Sequence, residues 1–284
     1  QPQVIPIAVG LIGPDGTEVA ATRMLEMTKA KQSFAFDGLA TRPVASILRG
    51  FSAPVVLTHD ISDTDRAHLL AHDTDLFNRW EAGRTLARNA LLAMIRQGTR
   101  PDTGYLDGIH AVVTDKTLDP AYRALMLGLP SQSDLATALH DAGDTPDPDI
   151  IYAATEMMRD AIAARFDAAL VALYKTNQVT LPYQPDAAQS GQRTLGNAAL
   201  SLLTRRDDGA QAKAQFDGAD NMTQQLAALT NLTHAGRGDT ALKAFEAQWK
   251  DDRLVMDKWF GLQVMHADPE DAHEVAANLT KHPD

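Results

Sequence analysis

Imidazoles four residues apart are the spacing in this chain that could hold a metal. On a helix, positions i and i+4 face the same way, so His-Glu-x-x-His can offer two imidazoles to a zinc ion while the Glu serves as base. His273-Glu274-Val275-Ala276-Ala277 approaches that pattern but has Ala277 where the second imidazole must stand. One imidazole and one carboxylate cannot make the site, and the segment reads as an ordinary His-Glu pair on a surface helix. His68-Leu69-Leu70-Ala71-His72 has the spacing, yet Leu69 cannot act as a base and no third ligand is indicated. It reads as a solvated pair beside Asp73 and Asp75, with adventitious metal binding as the alternative. His59, His110, His140, His234, His266 and His282 are scattered without ligand spacing.

Other chemistry is sparse. The chain has no Gly-x-Ser-x-Gly elbow, no phosphate loop and no dinucleotide fingerprint. It has no cysteine, which excludes disulfides and thiolate metal sites. The formal net charge of −11 opposes nucleic acid as a partner, because phosphate binding needs a basic face, and it opposes an anionic membrane surface too. No apolar run approaches the roughly 20 residues of a membrane span. The absence of cysteine suits a reducing cytosol, although exported bacterial domains also lack it; the expectation is a cytoplasmic bacterial protein. Asn221-Met222-Thr223, Asn231-Leu232-Thr233 and Asn278-Leu279-Thr280 match the glycosylation pattern and are read as chance. Gln1-Pro2-Gln3 has neither an initiating Met nor a signal-peptide pattern, so the chain is expected to begin inside a longer protein.

The elements that must position these residues change character near Asp60. Before it, Val4–Ile12 reads as a strand closed by the turn Gly13-Pro14-Asp15-Gly16, and Pro6 favours an edge strand or a bulge. Gln32–Gly38 alternates with period two, placing Phe34 and Phe36 on one face, and Ser52–Thr58 reads as a further strand. About four strands fit before residue 60, too few for a seven-strand sandwich. After Ile61 the helical period takes over, beginning at the capping run Ser62-Asp63-Thr64-Asp65. Helices are expected at about 62–72, 75–97, 104–114, 119–127, 132–141, 149–177, 187–205, 208–216, 220–235, 239–250, 252–266 and 269–281. Between 150 and 175, Ile151, Ala154, Met158, Ile162, Phe166, Leu170 and Leu173 form one apolar stripe. Short loops between amphipathic helices imply antiparallel neighbours in a bundle or a curved layer of helix pairs. Trp80, Trp249, Trp259 and Phe260 fall on helical periods and read as packing groups in preference to ligand contacts. Arg49, at a strand end, is expected to pair with a carboxylate where sandwich meets helices.

Four runs carry a resemblance. They are Arg42–Val55, Asp75-Leu76-Phe77-Asn78-Arg79-Trp80, Asn221-Met222-Thr223 with Leu226-Ala227-Ala228-Leu229, and Leu254-Val255-Met256-Asp257-Lys258-Trp259-Phe260. In that order they resemble bacterial zinc aminopeptidases of the aminopeptidase N type, over about Val4 to His282. The resemblance implies an α+β multidomain arrangement: a truncated Ig-like β-sandwich over 1–59, lacking its first strands, and a mostly α-helical bundle or superhelix over 60–284, itself cut short. It implies a parent enzyme that removes N-terminal residues from peptides with a zinc-activated water and a Glu base. That family's zinc motif and its Gly-x-Met-Glu-Asn segment, which holds the substrate's amino terminus, are missing from this sequence. No catalytic, substrate-binding or metal residue is therefore assigned, and no cofactor is expected in this chain, zinc belonging to the parent. The expected partners are the catalytic domain of the same polypeptide and, through the parent, peptide substrates. The implied role is to enclose the active-site chamber and limit access, leaving exposed apolar surface where the missing segments would pack. The competing reading is a stand-alone helical interaction or adaptor module.

Overall fold

In the computed structural model, residues 3–283 are described. They form two compact units, one running to residue 118 and resuming over 125–158, the other made of 119–124 and the chain described from 159 onward.

The first unit opens with a three-stranded antiparallel sheet in the order β2-β1-β3, with β1 at Ile5–Ile12, β2 at Glu18–Met27 and β3 at Val44–Ile47. The β1–β2 turn closes through Gly13 N–H to Thr17 O (2.7 Å) and Gly16 N–H to Gly13 O (2.9 Å), with Gly16 at φ 81°. β1 is the central strand, against the expectation drawn from Pro6. The reason it tolerates proline is local: β3 pairs only with Val9 to Ile12, so at Pro6 the strand has a partner on the β2 side alone. A register shift between Val9 and Leu11 supplies the bulge.

Two expected strands are absent. Gln32–Gly38 joins no ladder; its alternation survives as packing, with Phe34 and Phe36 half-buried against the cluster of Val9, Leu11 and Leu25. Arg23 lies 4.4 Å from the Phe36 ring centroid. Ser52–Thr58 is irregular because Pro54 offers no N–H and Val55 N–H turns back to Ala53 O (2.9 Å). β2 escaped the sequence reading for the opposite reason: Leu25 alone among its residues is buried, so there is little apolar alternation to find.

The helices lie close to their expected spans: α1 Asp63–His72, α2 Leu76–Gln97, α3 Thr103–Thr114, α4 Pro120–Met126, α5 Gln132–Asp141 and α6 Pro148–Thr176. They continue with α7 Ala187–Asp207, α8 Ala210–Gly218, α9 Met222–His234, α10 Asp239–Trp249, α11 Arg253–Met265 and α12 Ala272–Leu279. Their starts are set by side-chain oxygens of Ser62, Asp75, Asp102, Ser131, Asp186, Asn221 and Asp252, which accept first-turn backbone N–H groups. α7 runs past residue 205 until left-handed Asp208 and Gly209 break it. α12 begins at Ala272, not 269, because Asp268 holds the preceding residues in a turn through Glu270 N–H and Asp271 N–H. Every residue of the α6 apolar stripe is buried. The first unit buries Leu70, Leu91, Ile109 and Leu135; the second buries Phe166, Leu195, Leu229 and Phe245.

Candidate functional site

The densest polar cluster of the first unit is built by two short runs that meet where sheet and helices join. Leu48 (φ 64°), Gly50 (φ 61°) and Phe51 (φ 54°) adopt left-handed backbone around Arg49, a conformation that costs roughly 1–3 kcal/mol at each non-glycine. The result turns the Arg49 side chain, only 7% exposed, back under the sheet. Its Nη1 reaches Glu18 Oε1 and Thr22 Oγ1 (2.9 Å), its Nη2 reaches Asp73 Oδ1 (2.8 Å) and its Nε reaches Ser46 Oγ (2.9 Å). Space for the guanidinium comes from Gly10 on β1, where a Cβ would lie 2.1 Å from Arg49 Cζ.

α2 completes the brace. Asp75 caps it through Asn78 N–H (2.9 Å) and also accepts Gly50 N–H (2.8 Å). Asn78 Nδ2 donates to Ser46 Oγ (2.8 Å) and Ile47 O (2.9 Å). Arg79 donates to Leu70 O (2.7 Å) and Ala71 O (2.9 Å), satisfying carbonyls left open at the end of α1. The Thr74 hydroxyl binds Glu18, and with the Arg49 guanidinium it holds the Glu18 carboxyl below the usual carboxylate range. The expectation for Arg49 holds, with two carboxylates in place of one. Asp73 is fully buried, and its Oδ2 accepts no hydrogen bond among the described residues. Chemically the cluster neutralises and holds: both carboxylates are committed to Arg49.

The histidine candidates are set apart. His68 is half-buried and its Nε2 lies 2.7 Å from Gly13 O, while His72 packs against Gly16, so the pair clamps the β1–β2 turn. Their rings are 4.8 Å apart, and burial lowers the His72 pKa, helped by His68 and Arg79. His273, Glu274 and Ala277 are exposed on α12. Among the described residues no group of three His, Asp or Glu side chains could hold a metal ion.

The aromatics divide. Trp259 is buried and donates to Leu242 O (3.0 Å); Trp249 donates to Gln225 Oε1 (3.0 Å), and Gln225 in turn donates to Gln248 (2.8 Å). Both are packing groups, and they tie the third and fourth runs together through α9, α10 and α11. Phe260 lies edge-on to Trp259, 5.0 Å away. Trp80 is half-buried and lines a pocket of about 260 Å³. A larger cavity of about 530 Å³ lies between the irregular 53–61 segment and α2. Sequence reasoning missed both, since neither is marked by a local pattern. Beside the larger one, Phe51 (67% exposed) and Val56 (97% exposed) leave an apolar surface with Val55, Leu57, Leu76 and Phe77.

Two family descriptions match in succession: a domain of unknown function (DUF3458) with an Ig-like fold over residues 1–60, and a domain of unknown function (DUF3458_C) of ARM repeats over 63–284. The aminopeptidase N of Caulobacter vibrioides is 38% identical over 286 residues, which takes in 98% of this chain and 32% of that protein. The aminopeptidase N of Escherichia coli is 32% identical over 282 residues, 93% of this chain and again 32% of the relative. The crystal structure of Legionella pneumophila aminopeptidase A in complex with aspartic acid has a TM-score of 0.82 at 28% identity, covering 100% of this chain and 34% of that one. The chain thus spans about a third of the length of the relatives it matches.

Proposed function

The chain belongs to the DUF3458 family, an Ig-like domain followed by ARM repeats, and from that membership we propose that it is the C-terminal, non-catalytic portion of a zinc aminopeptidase of the aminopeptidase N type. The observation that carries this reading is the end-to-end match of both domains, in order, to one third of aminopeptidase N chains. In the parent, the sandwich over 1–59 links to a helical domain from residue 60 that covers the catalytic domain of the same polypeptide. It encloses the chamber and restricts entry to peptides that fit, which favours specificity by excluding bulk water and large chains.

The residues present do not fit a zinc ion. The His68–His72 pair is spent on the β1–β2 turn, and His273 has no second imidazole one turn on. No step of peptide hydrolysis is therefore drawn through this chain, and zinc is assigned to the parent's catalytic domain. The acidic surface supports a role that contacts neither nucleic acid nor anionic membrane, and no helix among the described residues is long and apolar enough to cross a membrane. The cytoplasm is the compartment we assign, from the lack of cysteine.

The test has two readings. The 284-residue chain, assayed on leucine p-nitroanilide with and without added zinc, is expected to show no turnover above the uncatalysed rate. The gene upstream is expected to encode His-Glu-x-x-His preceded by Gly-x-Met-Glu-Asn. Turnover removed by a chelator would overturn the non-catalytic role; a start codon and a stop codon directly bracketing the chain would leave an adaptor module instead.

A further inference from the structure

The pocket beside Trp80 is lined by a tyrosine and by charges of both signs. Tyr105 lines it and is only 1% exposed, yet no hydrogen bond among the described residues reaches its hydroxyl. That oxygen is not fully buried, so a group in the pocket can reach it. Burial pushes the phenol pKa up, which keeps it a neutral O–H donor. Ile109 and Met126, both buried, form apolar walls with the Trp80 ring.

At the rim, Arg84 and Asp134 stand 3.2 Å apart with side chains 44% and 47% exposed. The Arg84 guanidinium lies 5.3 Å from the Trp80 ring centroid. The Ser131 hydroxyl and backbone N–H lower the Asp134 pKa, so its carboxylate stays charged. An exposed pair of this kind is weakly held and opens readily to a competing zwitterion. The pocket, about 260 Å³, lies below the roughly 300–1,000 Å³ of drug-sized sites, which suits a ligand of amino-acid size.

We propose that this pocket binds a free α-amino acid whose apolar side chain ends in a hydroxyl, with tyrosine as the fitting case. The ammonium pairs with Asp134 and the carboxylate with Arg84. The ring lies among Trp80, Ile109 and Met126, and its hydroxyl exchanges a hydrogen bond with that of Tyr105.

Saturation-transfer NMR titrations of the whole chain with L-tyrosine, L-phenylalanine and tyramine test it. L-tyrosine is expected to bind most tightly of the three. Tyr105→Phe, which keeps the ring, should weaken tyrosine by roughly two- to tenfold, as fits loss of one neutral hydrogen bond, and leave phenylalanine unchanged. That unchanged binding also shows the variant is folded. Arg84→Ala should erase the advantage of tyrosine over tyramine. No transfer to tyrosine, equal affinity for tyrosine and phenylalanine, or affinities untouched by both substitutions would overturn the proposal.

Discussion

At the scale of single residues, Arg49 carries the strongest consequences. Truncating it leaves Asp73 buried and uncompensated, and breaking a buried pair this way costs about 3–5 kcal/mol. Arg49→Ala should lower the urea midpoint accordingly, and a loss under about 1 kcal/mol would show the cluster to be dispensable. Gly10→Ala drives a methyl group into the guanidinium and should cost about 1–3 kcal/mol alone. In the Arg49→Ala background that cost should largely vanish, because the atoms it strikes are gone; a double-mutant cycle reads the coupling. Titration adds a second test. Burial lowers the pKa of His59, His72 and His266, so the folded state resists their protonation. Their contribution to stability is present above 6.5, the ordinary histidine value, and is lost as pH falls below it. Glu18, depressed from 4.5, adds a contribution lost only lower, as pH falls through its folded pKa. Denaturation midpoints should therefore decline in two stages, and His266→Gln should soften the first stage alone.

At the scale of elements, α2 shows how one cap can serve two structures. Asp75 closes the helix start and holds Gly50 at the end of the sheet, so Asp75→Ala should cost more than a simple cap. About 2 kcal/mol, the top of the usual range, is the expected loss in urea denaturation; about 0.5 kcal/mol would mean that the contact to Gly50 contributes nothing. Helices were legible because their determinants are local: a capping oxygen, a period of 3.6 and a terminating Gly or Asp within a few residues. Strands were not. Glu18–Met27 pairs with β1 while burying only Leu25, and Gln32–Gly38 alternates cleanly yet joins no strand. Alternation reports which side chains face the core; ladder formation depends on a neighbour elsewhere in the chain.

At the scale of the whole molecule, the exposed cluster of Phe51, Val55, Val56, Leu57, Leu76 and Phe77 should make the isolated chain bind a hydrophobic dye. Phe51→Ser with Val56→Ser should reduce that fluorescence without lowering the unfolding midpoint, and a chain that stays monomeric and binds no dye would sink the expectation. Sequence alone determined the helical spans, the buried stripe of α6, the want of a His-Glu-x-x-His constellation and, through four ordered runs, the family. These follow from residues near one another or from their mere presence. Tertiary structure decided which strands pair, that Arg49 finds Asp73 24 positions ahead and Glu18 31 behind, and that Tyr105, its hydroxyl unbonded among the described residues, lines a pocket. Such outcomes depend on contacts between distant residues, where burial and shape choose among partners that a linear pattern leaves equivalent.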